Sequence, residues 1–262
     1  MTTALFGFSN VLKEVNMKIE GSIALITGSN GGIGRAFVQE LLKRGAAKIY
    51  LGARDPASLR RLVGESSKLV PIALDLTDPK QIEAAANIAS DITLLINNAG
   101  TIAFSGALSA KDPSAARQEM EVNYFGILAL TQALRRTPAL QRGGAIVNVL
   151  SFLALATLPV AGTYSASKSA ALALTRTLRA ELKSRGVQVV AVMPVQTDTP
   201  AYAPLPEPKL TPEEVATGTF DGLEAGEDEV FPGALSRGAA EAFKNNPAAL
   251  QAHLSTTVHA ID

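Results

Sequence analysis

Tyr164 and Lys168 stand four positions apart in the stretch YSASK. Four residues make about one helical turn, so in a helix the phenol and the ammonium share a face. A tyrosine beside a cation can serve as a proton donor; a tyrosine on the stem of a surface lysine is only packing. The pair by itself favours packing, because the spacing is common in helices. A second stretch with chemical potential is the glycine-rich run TGSNGGIG at 27–34, whose backbone could approach an anion. What either can do depends on the elements that carry it.

The 262 residues, 47% of them apolar and 18% charged, suit one large domain. Aromatics make up 5% with no Trp, so small residues must pack helices closely on a sheet. With 24 basic and 24 acidic residues, no electrostatic case exists for nucleic acid or an anionic membrane surface as a partner. The absence of Cys rules out disulfides and thiolate metal sites and points to a cytoplasmic location. His253 and His259 fall in the last ten residues, so neither a histidine metal site nor a Ser-His-Asp triad is expected. Residues 1–20 lack the regions of a signal peptide and read as an extension. The fold is expected over 21–250, with 251–262 as a tail. The run 145–162 nearly reaches membrane-span length, but Asn148, Ser151 and Pro159 interrupt it; a buried strand and a loop fit better.

Seven short apolar runs alternate with helical patterns: 23–27, 48–52, 69–74, 93–97, 145–150, 187–193 and 229–231. None alternates apolar with polar, so each reads as a strand covered on both faces, as in a parallel sheet. The expected fold is α/β, a doubly wound, mostly parallel sheet of about seven strands between two helical layers. Asp55-Pro56, Asp78-Pro79 and Thr211-Pro212 each set a capping side chain before a proline at the start of a helix. The segment 198–212 holds five prolines and reads as a functional loop.

The glycine-rich run follows the first strand and opens a helix. Gly28, Gly32 and Gly34 permit a tight turn and close approach to a pyrophosphate on the first helical N–H groups, with Ser29, Asn30 and Ile33 between them. The second strand ends in GARD, with Ala53 where NAD binders carry a ribose-binding acid and Arg54 next. A guanidinium can pair with a 2′-phosphate, which favours NADP(H). NAD(H) stays open, because Arg54 could be a solvated residue and Asp55 could serve a ribose instead of capping a helix. Asp75 and Leu76 at the third strand's end could meet the adenine edge, or Asp75 could shape a turn. In NNAG, Asn97, Ala99 and Gly100 could wall the adenosine ribose.

With these motifs in order, the chain resembles the short-chain dehydrogenase/reductase (SDR) family: T-G-x-x-x-G-x-G at 27–34, D-L-T at 75–77 and N-N-A-G at 97–100. Asn123 in MEVNYFG, Ser151 in IVNVLS and the Tyr164/Lys168 pair continue it, with 13 residues from Ser151 to Tyr164. The resemblance covers residues 21–200 and implies a Rossmann-like domain that interconverts a carbonyl and an alcohol by hydride transfer. It implies Tyr164 as general acid/base and Ser151 as the group that holds the substrate oxygen. Lys168 would lower the phenol's pKa and grip the nicotinamide ribose, and Asn123 would hold a water. Thr197 and Thr199 would hold the carboxamide. Reaching a phenol pKa near 7 asks roughly 4 kcal/mol of differential stabilisation from Lys168, the helix N-terminus and the oxidised nicotinamide.

One departure is Val195 in PVQTDT, where the family usually has glycine, which puts the local turn in question. Phe152, Leu153, Leu155, Leu158, Val160 and Tyr202 are expected near the carbonyl, suggesting an apolar or aromatic substrate. The small residues of the Tyr164 helix suggest a homodimer or homotetramer, which light scattering reads directly. The rival readings are a non-enzymatic NADP-binding redox sensor and a sugar-nucleotide epimerase. An intact Asn/Ser/Tyr/Lys set argues against the first, and the glycine spacing argues against the second.

Overall fold

The computed structural model describes residues 16–203 and 206–257. Seven strands form one sheet: β1 Ile23–Thr27, β2 Lys48–Ala53, β3 Leu69–Ala73, β4 Leu94–Asn97, β5 Ala145–Val149, β6 Gln188–Val192 and β7 Glu229–Val230. Their order is β3-β2-β1-β4-β5-β6-β7, and every pairing is parallel. The sequence order reverses between β1 and β4, which opens a crevice at their carboxyl ends. Helices α1 Gly32–Lys43, α2 Arg60–Val63, α3 Pro79–Ile88, α4 Ser114–Met120, α5 Ile127–Ala133 and α6 Pro138–Gln141 connect the first five strands. Beyond them come α7 Gly162–Leu182, α8 Pro212–Ala225, α9 Gly233–Asn245 and α10 Pro247–Leu254.

Strand side chains alternate between two cores, which explains the unbroken apolar runs. Ala24 and Ile26 join Phe37 of α1 and Phe220 of α8 on one face. Leu25 joins Ile82 of α3, Leu130 of α5 and Leu172 of α7 on the other. Phe37 and Phe220 meet edge-to-face at 5.5 Å.

The three expected caps are present. Asp55 accepts from Ala57 N, Asp78 accepts from Lys80 N, and Thr211 forms a reciprocal capping box with Glu214. The packed chain begins before residue 21: Met17 and Ile19 are buried in the first core, and Ile19 N donates to Glu224 at 3.2 Å. Residues 1–15, the rest of the expected extension, and His259 lie outside the described residues. His253 and the start of the expected tail belong to α10, where Gln251 exchanges two 2.8 Å hydrogen bonds with the backbone of Thr157. No helix among the described residues is long and apolar enough to cross a membrane.

Candidate active site

A cleft of about 780 Å³ opens over the carboxyl ends of β1–β6. The glycine turn forms one side of it. Gly28 adopts φ +65°, where a side chain is strained, and a Cβ there would lie 3.0 Å from Ala99 Cα. A Cβ on Gly34 would lie 2.2 Å from the Gly28 carbonyl oxygen, so only glycine lets α1 start this close to β1. The N-cap Gly31 supplies no capping side chain and the first turn of α1 holds no acid. Its leading N–H groups suit an anion.

Gly28, Asn30, Gly32, Ile33 and Gly34 line the cleft as expected, but Ser29 does not. Ser29 is buried, and both its N and its hydroxyl donate to Gly52 O, at 3.1 and 3.2 Å, tying the turn to β2. Asn97 also departs from expectation. Its amide is buried within the sheet and donates to Asn148 Oδ1 at 2.8 Å. Asn98 lines the cleft instead, because successive side chains at a strand end face opposite ways, and it donates to Thr27 O and Gly28 O at 3.0 and 3.2 Å. Thr27 completes the clamp by accepting from Asn98 N and Ala99 N.

Ala99, Gly100, Asp75, Leu76 and Arg54 line the cleft. Arg54 is exposed, whereas Asp55 is engaged as the cap described above. Asp75 Oδ1 accepts from Thr77 N and Thr77 Oγ1, at 2.9 and 2.8 Å, and these bonds, helped by the Arg54 charge, hold its carboxyl below the usual range. Thr197 and Thr199 reach the cleft from the segment after β6. Thr199 Cγ2 packs where a Cβ on Gly32 would come, 3.0 Å away. Val195 strains nothing: among the described residues Phe104 is the one non-glycine at positive φ, and Val195 N donates to Ser236 at 3.1 Å.

Helix α7 brings Tyr164 and Lys168 to the cleft, whereas Ser151, which follows β5, and Asn123 are not part of its lining. The Ser151 hydroxyl acts on the Tyr164 phenol and pulls its pKa down. Ser151 Oγ also accepts from Leu153 N at 3.1 Å, so the hydroxyl is fixed by the turn it caps. Lys168 Nζ donates to Val149 O at 3.0 Å and sits 5.6 Å from the Tyr164 ring centre. Asn123 lies in a π-helical turn, Glu121–Gly126, which joins α4 to α5 and which the sequence pattern did not announce. Its Oδ1 accepts from Thr101 N at 2.9 Å, and its Nδ2 donates to Thr101 O and Ser167 Oγ, both at 2.9 Å. The amide therefore pins the loop after β4, with one Oδ1 lone pair left for a water.

Residues 22–209 match the family model for short chain dehydrogenase. The chain belongs to the short-chain dehydrogenase family. The seven-stranded parallel sheet is the one this membership implies. A short chain dehydrogenase from Burkholderia cenocepacia J2315, solved in complex with NADP, is 44% identical with a TM-score of 0.85, covering 91% of this chain and 99% of that one. The 3-oxoacyl-[acyl-carrier-protein] reductase FabG of Vibrio harveyi is 34% identical over 192 residues, 70% of this chain and 77% of that protein. Dehydrogenase/reductase SDR family member 7B of Bos taurus is 31% identical over 206 residues, 72% of this chain; the match spans 63% of the bovine protein.

Two expectations drawn from the family resemblance need correction. The Tyr164 phenol is not held low here: burial pushes it well above its ordinary value, the Tyr202 hydroxyl and the Glu119 carboxylate add to this, and only the Ser151 hydroxyl opposes them. The Lys168 ammonium donates to Val149 O and not to the phenol. The apolar wall is also smaller than expected. Phe152 is buried and stacks edge-to-face on Phe243 of α9 at 6.3 Å, and Val160 is core. Leu155 packs against the second core, and of the six apolar residues expected near the carbonyl, Tyr202 lines the cleft.

Burial also pulls the Lys168 ammonium down from 10.5 to about 8. Below pH 8 the folded protein carries the whole penalty of a buried charge. Between there and the unfolded value the unfolded chain binds more protons, so stability rises with pH. Lys168→Met should be more stable than the wild type at pH 7.5, with the gap shrinking by roughly 2 kcal/mol by pH 9.5. Urea melts of both proteins at the two pH values check this; a constant gap would contradict a buried, partly neutral Lys168.

Proposed function

We propose that this protein is an NADP(H)-dependent reductase that interconverts a carbonyl and an alcohol, with Tyr164 as general acid/base. The observation that carries the reading is that Tyr164 and Lys168, one helical turn apart, line the same cleft that the glycine turn and Arg54 border. The cleft fits a dinucleotide. Gly28 and Gly34 leave the backbone bare, the first turn of α1 offers uncapped N–H groups, and Arg54 offers a fork for a 2′-phosphate.

Bound there, the nicotinamide would supply the hydride. Ser151 and Tyr164 would hold the substrate's carbonyl oxygen between two hydroxyls. As the carbon gains hydride, the Tyr164 O–H bond breaks and its proton passes to that oxygen. The tyrosinate left behind is stabilised by the ammonium of Lys168 one turn away and reprotonated from solvent. A phenol held protonated at neutral pH suits this reductive direction. Asn123 keeps the 101 loop in place so that the oxygen has one position.

Steady-state oxidation of NADPH and of NADH against a panel of ketones and aldehydes tests the reading. Saturable binding of NADPH with no turnover of any carbonyl would favour the binding-only regulator. Arg54→Ala should weaken NADPH by about 10- to 100-fold, the loss of one charge-assisted contact, and change NADH less than threefold. Equal losses for the two cofactors would remove the argument for NADP.

A further inference from the structure

One aromatic pair at the site has no part in the reaction just described. Tyr202, on the single 3₁₀ turn Pro200–Tyr202 after β6, sets its hydroxyl 2.9 Å from that of Tyr164. A substrate oxygen must come to this distance to receive the phenol's proton. Tyr202 fills the position 2.9 Å from the Tyr164 hydroxyl on the cleft side, where a substrate oxygen would have to come, so the two compete for that position.

The Tyr202 ring meets Phe104 edge-to-face, with centres 6.2 Å apart and planes at 87°. Phe104 is held from elsewhere. Its backbone sits at φ +46°, and the loop that carries it is tied to the α4 helix and its π turn. Glu119 Oε1 accepts from Ala103 N, and Asn123 bonds both backbone groups of Thr101. Phe104 lines a neighbouring pocket formed by residues of the 103–115 segment and reaches the cleft through the Tyr202 ring. The backbone of Tyr202 is tied within its own turn, its N donating to Thr199 O.

Resting on the assignment of Tyr164 as proton donor, we propose that Tyr202 is a specificity-determining residue that stands in for the substrate. A carbonyl compound binds by displacing it, and selection favours one with a flat aryl group beside the carbonyl. The carbonyl oxygen takes the 2.9 Å contact with Tyr164, and the aryl group restores the edge-to-face partner that Phe104 loses. The groups that act on the phenol are Tyr202 itself, Ser151 after β5 and Glu119 from α4, and the Lys168 ammonium on its own helix lies 5.6 Å from the ring centre.

The test uses Tyr202→Phe and Phe104→Ala. Binding of acetophenone to the NADPH complex, read by NADPH fluorescence, should tighten about five- to tenfold in Tyr202→Phe, which keeps the ring and loses the competing hydroxyl. The same variant should lower KM for benzaldehyde by a similar factor, keep kcat within twofold, and bring the Tyr164 phenol, followed at 295 nm, down towards its ordinary range. In Phe104→Ala the preference for benzaldehyde over propanal in kcat/KM should fall tenfold or more. Unchanged acetophenone affinity in Tyr202→Phe overturns the proposal. So does a tenfold loss of kcat at constant KM, which would make Tyr202 a proton donor that stays in place. An unchanged aryl preference in Phe104→Ala removes the substrate class. Full turnover by Tyr164→Phe is a separate result: it sinks the acid assignment and leaves the acetophenone affinities to decide displacement.

Discussion

Tyr164→Phe should lower kcat for carbonyl reduction by about 10²- to 10⁴-fold while leaving NADPH affinity within a few-fold of the wild type. The substitution removes one hydroxyl from a buried phenol and keeps the ring that packs under Lys168. Ser151 would then hold the carbonyl oxygen alone, with no proton to give it as hydride arrives. Stability should fall by about 1 kcal/mol, since the Tyr202 hydroxyl loses its partner. The pH profile of the wild type carries the same information. Because burial and its neighbours raise the phenol, the acid form dominates through neutrality and reduction should be nearly flat there. Alcohol oxidation needs the base form, so it should climb as pH rises into the alkaline range. An enzyme whose reduction rate survives Tyr164→Phe, or whose oxidation rate is flat from pH 7 to 10, does not use this phenol.

Gly34→Ala should be the most damaging single methyl in the chain. The added carbon would lie 2.2 Å from the Gly28 carbonyl oxygen and 2.8 Å from Ser29 Cα, and both neighbours are backbone. Neither can swing aside as a side chain could. The turn must shift, which should cost about 1–3 kcal/mol of stability. The N–H groups that would cradle a pyrophosphate move with the turn, so NADPH affinity should drop on the order of 100-fold. Gly238→Ala in α9 is the control, because a Cβ there meets nothing within 4 Å. It should leave stability unchanged or slightly higher. Thermal melts with and without NADPH separate the two effects; equal behaviour of the two variants would mean that the close approach of α1 to β1 is not needed.

Much of the fold was legible because the sheet is parallel and covered on both sides. Its strands could be recognised as short apolar runs whose alternate residues feed two cores, as Leu25 and Ile26 do. The caps were legible for a local reason, since Asp-Pro and Thr-Pro act within one turn. Strand ends were harder. The dyad of a strand sends Asn97 into the sheet and Asn98 into the cleft, and NNAG offers no means of choosing between them. The π turn around Asn123 has no local signature, because Thr101 and Ser167, which hold that amide, lie 22 and 44 residues away in sequence. The raised phenol was illegible for a similar reason. Tyr202 is 38 residues from Tyr164, and the direction of the Lys168 ammonium depends on a strand carbonyl. Phe152 and Val160 follow Ser151 closely, yet proximity in sequence did not bring them to the cleft; α9 packs over Phe152.

The Gln251 carboxamide pairs with the N–H and C=O of Thr157 as a peptide group would, so a side chain of α10 occupies the place of a neighbouring strand. Thr157 lies between Ser151 and Tyr164, on the stretch that sets the distance between the two hydroxyls. Helix α10 is thereby tied to the segment that joins Ser151 to Tyr164. Any contact that favours the seated position of α10 tightens this stretch, and by reciprocity a ligand that orders the stretch strengthens that contact.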